Sequence, residues 1–320
     1  MSAPFSTPVV LLVFNRPEHT QQLLDRLRLV QPAQVLVVAD GPRPQHPTDA
    51  ANCARVREVI ARGIDWPAQV ETHYAETNLG LRRRVVSGLD WAFTRVEHAI
   101  ILEDDCLPAK SFFGYCAELL EHYAADERVG TISGDNFQPA EFRCEASYYF
   151  SRYPHCWGWA TWRRAWRRND DQMTQWPALR ESRWLHSLFP DPLQAQYWVD
   201  LFDAVHQRRI DTWDYPWTLA CWTQNFLTAL PCINLVTNIG IGPDATHTKD
   251  VEAGMHQLRA GEIELPLRHP SLVILNHEAD AWSQKNIFGA AKSKTLGGRL
   301  QRLAEKGARL PGRLRRMVNR

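Results

Sequence analysis

The chain has 320 residues, 44% of them hydrophobic and 23% charged, a balance that argues against a disordered chain. No apolar run approaches the roughly 18 residues that a bilayer crossing needs, and no basic segment with a cleavage site precedes the first apolar run, so neither a membrane span nor a secretory signal is expected. The formal charge of +1 hides an asymmetry: ten Lys/Arg and one acid, Glu305, lie in 289–320, a net +9, which leaves 27 basic and 35 acidic residues, a net −8, in the rest.

PVVLLVF (8–14) is a continuous apolar run rich in β-branched residues, as in a strand buried on both faces. Asn15 is placed to cap a helix with Pro17 in its first turn and Leu23, Leu24, Leu27 and Val30 along its apolar stripe. QVLVVADGP (34–42) predicts a second buried strand ending at Asp40 and a turn. A helix over 51–63, a third strand over 70–76 and a turn at Asn78–Leu79–Gly80 follow. Leu81, Val85, Leu89 and Phe93 then recur every four residues, and AIILEDD (99–105) closes the series as a fourth strand. This alternation predicts an α/β fold with a mostly parallel sheet, in which ligands gather beyond the strands' carboxyl ends. Asn15, Arg16, Asp40 and Glu103–Asp105 all fall at such ends.

Beyond residue 130 the pattern loosens and tryptophan becomes frequent, as in HCWGWATWRRAW (155–166) and TWDYPWTLACW (212–222). The expected organisation is a first lobe over 1–130, a second lobe over 131–288 that completes its cleft, and a basic amphipathic or disordered tail over 289–320. The thirteen tryptophans suit sugar-binding clefts or cores. Seven cysteines (Cys53, Cys106, Cys116, Cys144, Cys156, Cys221 and Cys232), odd in number and without a CxxC pair, are expected to be reduced thiols of a cytoplasmic protein.

Glu103, Asp104 and Asp105 repel one another and resist desolvation, so a cation is expected among them. On an extended backbone, Glu103 and Asp105 would share one side and Asp104 would face the other. A carboxylate there could hold Mg²⁺ or Mn²⁺, which also takes water and diphosphate oxygens. An acidic loop, solvated or capping the next helix, accounts equally well for the triplet alone. The N-terminus of the helix after strand three, with Asn78 before it and Arg82–Arg83–Arg84 in its first turn, suits a diphosphate. Two of these arginines are expected to be solvated.

With these residues in view, the chain resembles the GT-A glycosyltransferases, whose acidic DXD motif binds a metal and a nucleotide sugar. The stretch LEDDCLPAKSFFGYCAELL is similar to the inverting N-acetylglucosaminyltransferases that initiate complex N-glycans, and bacterial polysaccharide glycosyltransferases look alike over most of this length. The resemblance covers roughly 8–250 and is sharpest over 99–120. Glu103 departs from the general DXD pattern and fits the acetylglucosaminyl branch.

The resemblance implies a GT-A fold and a metal-dependent, inverting transfer of a sugar from a UDP-sugar donor to a glycan or lipid-linked acceptor, in bacterial surface polysaccharide synthesis. It makes Asp105 the ligand of Mn²⁺ (or Mg²⁺), with His247 as a late metal or diphosphate ligand. Asp104 and Glu103 would contact the ribose or transferred sugar. Asp40 would accept a base N–H, and Arg16 would lie near base or phosphate, with Asn15, Asn78 and Arg82 lining the nucleotide. Asp214 in TWDYPW would be the catalytic base, with Asp211 as competitor, and Trp157 and Trp159 would meet the acceptor, with Gly158 allowing close backbone approach. Structural roles stand beside these: Asp40 suits an Asp-Gly turn, Asp214 a cap before Pro216, and Trp159, Trp162 and Trp166 a core.

A sugar nucleotidyltransferase would show a Gly-rich loop after strand one, where NRPEHT stands. A non-catalytic carbohydrate-binding protein could use the tryptophans but would not require acids at strand ends. No nucleic-acid partner is expected, since the basic tail has few aromatics for base stacking. Peripheral contact with an anionic membrane through 289–320 is the better expectation for it.

Overall fold

The computed structural model describes residues 5–240 and 258–288. The first strand, β1 (Val9–Val13), is buried along its whole length, as its unbroken apolar sequence requires. Removing each such side chain from water contributes about 1.5–3 kcal/mol. Helix α1 (Pro17–Leu27) turns Leu23, Leu24 and Leu27 onto the sheet, with Pro17 in its first turn, where a missing N–H is harmless. Arg16, not Asn15, occupies the cap position, and no side chain caps the helix. The strand β2 (Gln34–Ala39), the helix α2 (Asp49–Gly63), the strand β3 (Gln69–Tyr74), the helix α3 (Leu81–Phe93) and the strand β4 (His98–Glu103) continue the alternation.

Then come β5 (Cys106–Pro108), α4 (Lys110–His122), β6 (Val129–Ser133), β7 (Tyr148–Ser151), β8 (Trp159–Trp162) and α5 (Arg163–Trp166). Beyond them are α6 (Trp176–Glu181), α7 (Leu185–Leu188), α8 (Pro192–His206), α9 (Asp214–Thr223), β9 (Leu227–Pro231), β10 (Val236–Asn238) and α10 (His277–Asn286). The main sheet has eight strands in the order β3-β2-β1-β4-β8-β6-β9-β7. β3, β2, β1, β4, β6 and β9 run one way, and β8 and β7 run against them. The chain therefore forms the expected α/β architecture, a mostly parallel sheet flanked by helices. In register, Val9 of β1 faces Val35 of β2 and Ile100 of β4, so the carboxyl ends of these three strands share one edge.

The described residues of Met1–Asp171 and Thr212–Asp280 form one compact unit, and those of Gln172–Asp211 with the segment from Ala281 onward form another. The expected boundary at 130–131 falls within β6, inside the first unit, because β6 pairs with both β8 and β9 of the main sheet. The second unit is helical and packs Trp176 against Phe202, with centroids 5.2 Å apart.

Two further readings are corrected here. β4 ends at Glu103, and Asp104 and Asp105 stand in a turn, so the two-residue alternation does not set their directions. Cys144 and Cys232 form a disulfide, whereas all seven cysteines were expected to be reduced; the other five are free. The separation of these two positions along the sequence gives no hint that β7 and β9, beside which they lie, are neighbours. No helix among the described residues is long and apolar enough to cross a membrane.

Candidate functional site

At the shared strand edge, the cation among the acids is Arg16. Its Nη1 donates to Asp105 Oδ2 at 2.9 Å and to Asp104 Oδ1 at 3.2 Å. The Phe14 N–H, just past β1, approaches Asp104 Oδ2 at 3.4 Å. Burial pushes the Asp104 carboxyl well above its ordinary range, with Arg16 opposing the shift. Burial also pushes Glu103 up, and the negative charges of Asp105, Asp104 and Asp214 add to it. Asp214 thus stands close enough to the acidic turn to repel it.

Asp105 is held from two directions. Its carbonyl accepts from the Ile239 N–H at 2.8 Å, just beyond the small β5–β10 ladder. Gly240 lies directly against its side chain: a Cβ at Gly240 would come within 2.0 Å of Asp105 Oδ2. His19 on α1 sits near Arg16, Asp105 and the Ile239 backbone; burial, then Arg16, lower its basicity. Neither Gly240 nor His19 was marked by any pattern in the sequence.

Asp40 and Asn78 are close, but engaged with each other. Asp40 Oδ1 accepts the N–H groups of Gly41 and Leu79 at 2.8 and 2.9 Å, and Oδ2 accepts Asn78 Nδ2 at 2.9 Å. Asn78 also reaches the Gly41 carbonyl at 3.1 Å. Gly41 is required here, since a Cβ would meet the Thr77 backbone at 2.5 Å. The turn role raised for Asp40 is the one its geometry displays: it ties the β2 turn to the loop before α3. Asn15 donates to Asp49 Oδ1 at 2.8 Å. Asp49, almost fully buried, also binds Arg43 through both oxygens, and that arginine holds its carboxyl down to about 2. Arg43 in turn lies 5.3 Å from the Phe14 ring centre. Sequence reasoning missed this Asn15–Asp49–Arg43 set because its members belong to no periodic pattern.

Of the three arginines that open α3, Arg83 is exposed, whereas Arg82 and Arg84 are buried, against the expectation of two solvated arginines. Arg84 turns back to the His73 carbonyl at 2.6 Å. Arg82 is 1% exposed and its Nε pairs with Asp171, while its Nη1 and Nη2 are buried without a hydrogen-bond partner among the described residues. An open, buried guanidinium fork is a costly arrangement unless an anion completes it.

The tryptophans divide. Trp159 is buried in β8 and stacks on Trp213 with centroids 5.5 Å apart, and Trp166 and Trp217 adjoin it. It is a core residue, so the expected acceptor contact does not fit its position. Trp157 is partly exposed, packs edge-on to Phe137, and donates its N–H to Asp135 Oδ2 at 3.0 Å. Gly158 has φ +68° and a Cβ there would meet Val236 at 2.8 Å, so its own chain, not a ligand, makes the close approach. Asp135 is wholly buried, accepts from Ser133 Oγ at 2.7 Å, and is pushed by burial to about 7. The Cys156 thiol is raised by burial and then by Asp214, Glu103, Asp135 and Asp105.

Asp214 opens α9, where its Oδ1 accepts from the Tyr215 N–H at 2.9 Å and from the Thr212 hydroxyl. Asp211 falls in the second compact unit. His247 and the 289–320 tail lie outside the described residues. Among the described residues, no three His, Cys, Asp or Glu side chains are grouped to hold a metal by themselves. Mg²⁺ and Mn²⁺ keep water and substrate phosphates in their shells, and one or two carboxylates suffice to anchor them. Asp105 is a carboxylate at the acidic turn, one oxygen of which Arg16 engages.

The class of molecule is thus an α/β protein with an acid-lined, arginine-neutralised edge at the carboxyl ends of a parallel sheet. Its likeness to known proteins lies at the level of structure. No family model matches the chain, and no curated protein matches it. Among solved structures it is similar to the mannosyltransferase PcManGT from Pyrobaculum calidifontis in complex with GDP-Man and Mn²⁺, at 18% identity and a TM-score of 0.35, over 49% of this chain and 44% of that one. It is also similar to S. aureus TarS 1-349, at 14% identity and a TM-score of 0.35, over 52% and 49%. A cytidylyltransferase from Leptospira borgpetersenii matches at 13% identity and a TM-score of 0.32, over 56% and 68%. The chain spans less than half the length of the first two. Sugar transferases and nucleotidyltransferases both stand among these structures, so the reading of the site rests on the chain's own residues.

Proposed function

We propose that the chain is a glycosyltransferase that moves a sugar, in an inverting step, from a UDP-sugar to a glycan or lipid-linked acceptor of a bacterial surface polysaccharide. One observation carries this reading: Glu103, Asp104 and Asp105 crowd one strand edge beside Arg16, with Asp214 close enough to raise Glu103. A purely structural turn has no need of three consecutive acids at a strand end.

On this reading Asp105 holds Mn²⁺ or Mg²⁺, which when bound neutralises charge on the departing diphosphate. Arg16 binds Asp104 and Asp105 and fixes the direction of Asp105. Asp104 and Glu103 face the donor's ribose and sugar. Arg82 offers its open fork to the diphosphate at the N-terminus of α3. Asp214, oriented by Thr212 and the Tyr215 N–H, accepts the proton of the attacking hydroxyl as the sugar–phosphate bond breaks on the opposite face. Trp157 offers a ring for the acceptor. Asp40 and Asn78 shape the base pocket by holding its loops together. The basic tail, with Leu296, Leu300, Leu303 and Leu310 among its charges, brings the enzyme to an anionic membrane where lipid-linked acceptors reside.

A screen of nucleotide sugars for thermal stabilisation and hydrolysis, with and without Mn²⁺, tests the reading. One UDP-sugar should raise the unfolding temperature only when metal is present. Asp105→Ala should abolish that shift, while Asp214→Asn should keep it and slow transfer by about 10²–10⁴-fold. A chain that binds glycans unchanged after Asp105→Ala, and no nucleotide sugar before it, is a lectin.

A further inference from the structure

The first turn of α3 has two independent marks of an anion site. Its cap, Gly80, offers no side chain, no acid occupies the turn, and its first amides have no intrahelical acceptor. Arg82, the second residue of the helix, is 1% exposed, with Nη1 and Nη2 lacking a hydrogen-bond partner among the described residues. Among the described residues the hydrogen bond that directs that fork is at Nε, which donates to Oδ1 of Asp171, whose side chain is 18% exposed. Asp171 lies 89 residues away, in the loop that follows α5. A guanidinium held at Nε by a carboxylate keeps its two terminal nitrogens free as a planar pair, the geometry that grips a phosphate through two parallel hydrogen bonds.

We propose that Asp171 is a positioning residue that holds Arg82 by Nε, so that Nη1 and Nη2 receive a phosphate oxyanion at the N-terminus of α3. The phosphate is the diphosphate of the donor, a step that rests on the reading given under Proposed function. Asp171 touches no substrate; it acts through Arg82.

The test measures the affinities of UDP, inorganic pyrophosphate and uridine for the full chain and for Asp171→Asn, Asp171→Glu, Arg82→Lys and the double variant Arg82→Lys/Asp171→Asn. Asp171→Asn should weaken UDP and pyrophosphate by about tenfold or more and leave uridine unchanged. Asp171→Glu should recover most of the loss. In the Arg82→Lys background, which has no Nε, Asp171→Asn should have no further effect, the non-additivity of two residues acting as a unit. If Asp171→Asn does not fold, Asp171→Glu and Arg82→Lys carry the test, the first keeping and the second losing diphosphate affinity, with uridine unchanged in both. Wild-type affinity for UDP in Asp171→Asn, or an equal loss for uridine, overturns the proposal and leaves the functional reading standing. Binding of pyrophosphate but of no nucleotide overturns the functional reading and leaves the oxyanion site. Binding of neither overturns both.

Discussion

Arg16 stands between two carboxylates, one of which, Asp104, is nearly buried. Removing one member of such a set leaves the other charged and poorly solvated. Arg16→Ala is therefore expected to destabilise the fold by about 1–3 kcal/mol at neutral pH. The loss should shrink at pH 5, where Asp104, already raised by burial, takes up a proton; thermal unfolding at the two pH values reads it. Asp135 gives a second pH dependence with a defined sign. Its carboxyl moves from the ordinary 3.8 to about 7 on folding, so the native state binds a proton that the unfolded chain has released. Stability from this group is fully present below pH 4 and falls as pH rises from there through about 7. Asp135→Asn, neutral throughout, should remove that fall, and a stability–pH curve with an unchanged slope would show that Asp135 is ionised in the fold. At this scale the sequence marked the acids and Arg16 as site residues. It gave no sign that Arg16 itself is their counter-ion, because that pairing spans 88 and 89 positions.

At the scale of elements, the strands and helices up to β4 were legible because each carries one strong pattern. β1 and β2 are unbroken apolar runs, α1 has its leucine stripe, and α3 repeats apolar residues every four positions. The end of β4 was less so: three acids in a row look the same in a strand as in a turn, and the hydrogen bond from Ile239 to the Asp105 carbonyl marks the turn only in three dimensions. That contact makes the β5–β10 ladder part of the site. Gly240→Ala should push the Asp105 carboxylate off Arg16, since a Cβ would come within 2.0 Å of Oδ2. A fall of about tenfold or more in metal-dependent nucleotide-sugar affinity, with a small change in unfolding temperature, is expected in calorimetric titrations. The tryptophans were the least legible elements. Trp157 and Trp159 are two residues apart and differ completely, one edging into the open and the other stacked inside the core with Trp213.

For the whole molecule, the split between a −8 body and a +9 tail makes a prediction that needs no contact list. The full chain should co-sediment with vesicles containing anionic lipid, less so as salt rises, and a chain ending at Ile287 should not. Equal binding by both would remove the tail from the account. The sequence alone determined the α/β class, the direction of the first strands and the gathering of acids at their ends. These follow from hydrophobic periodicity and strand polarity, which are local. Which carboxylate meets which cation, which arginine of three is left open, and which tryptophan reaches the surface were decided only by tertiary structure. Each depends on groups brought together from distant positions and on how completely water is excluded there, and neither is written in the spacing of residues along a chain.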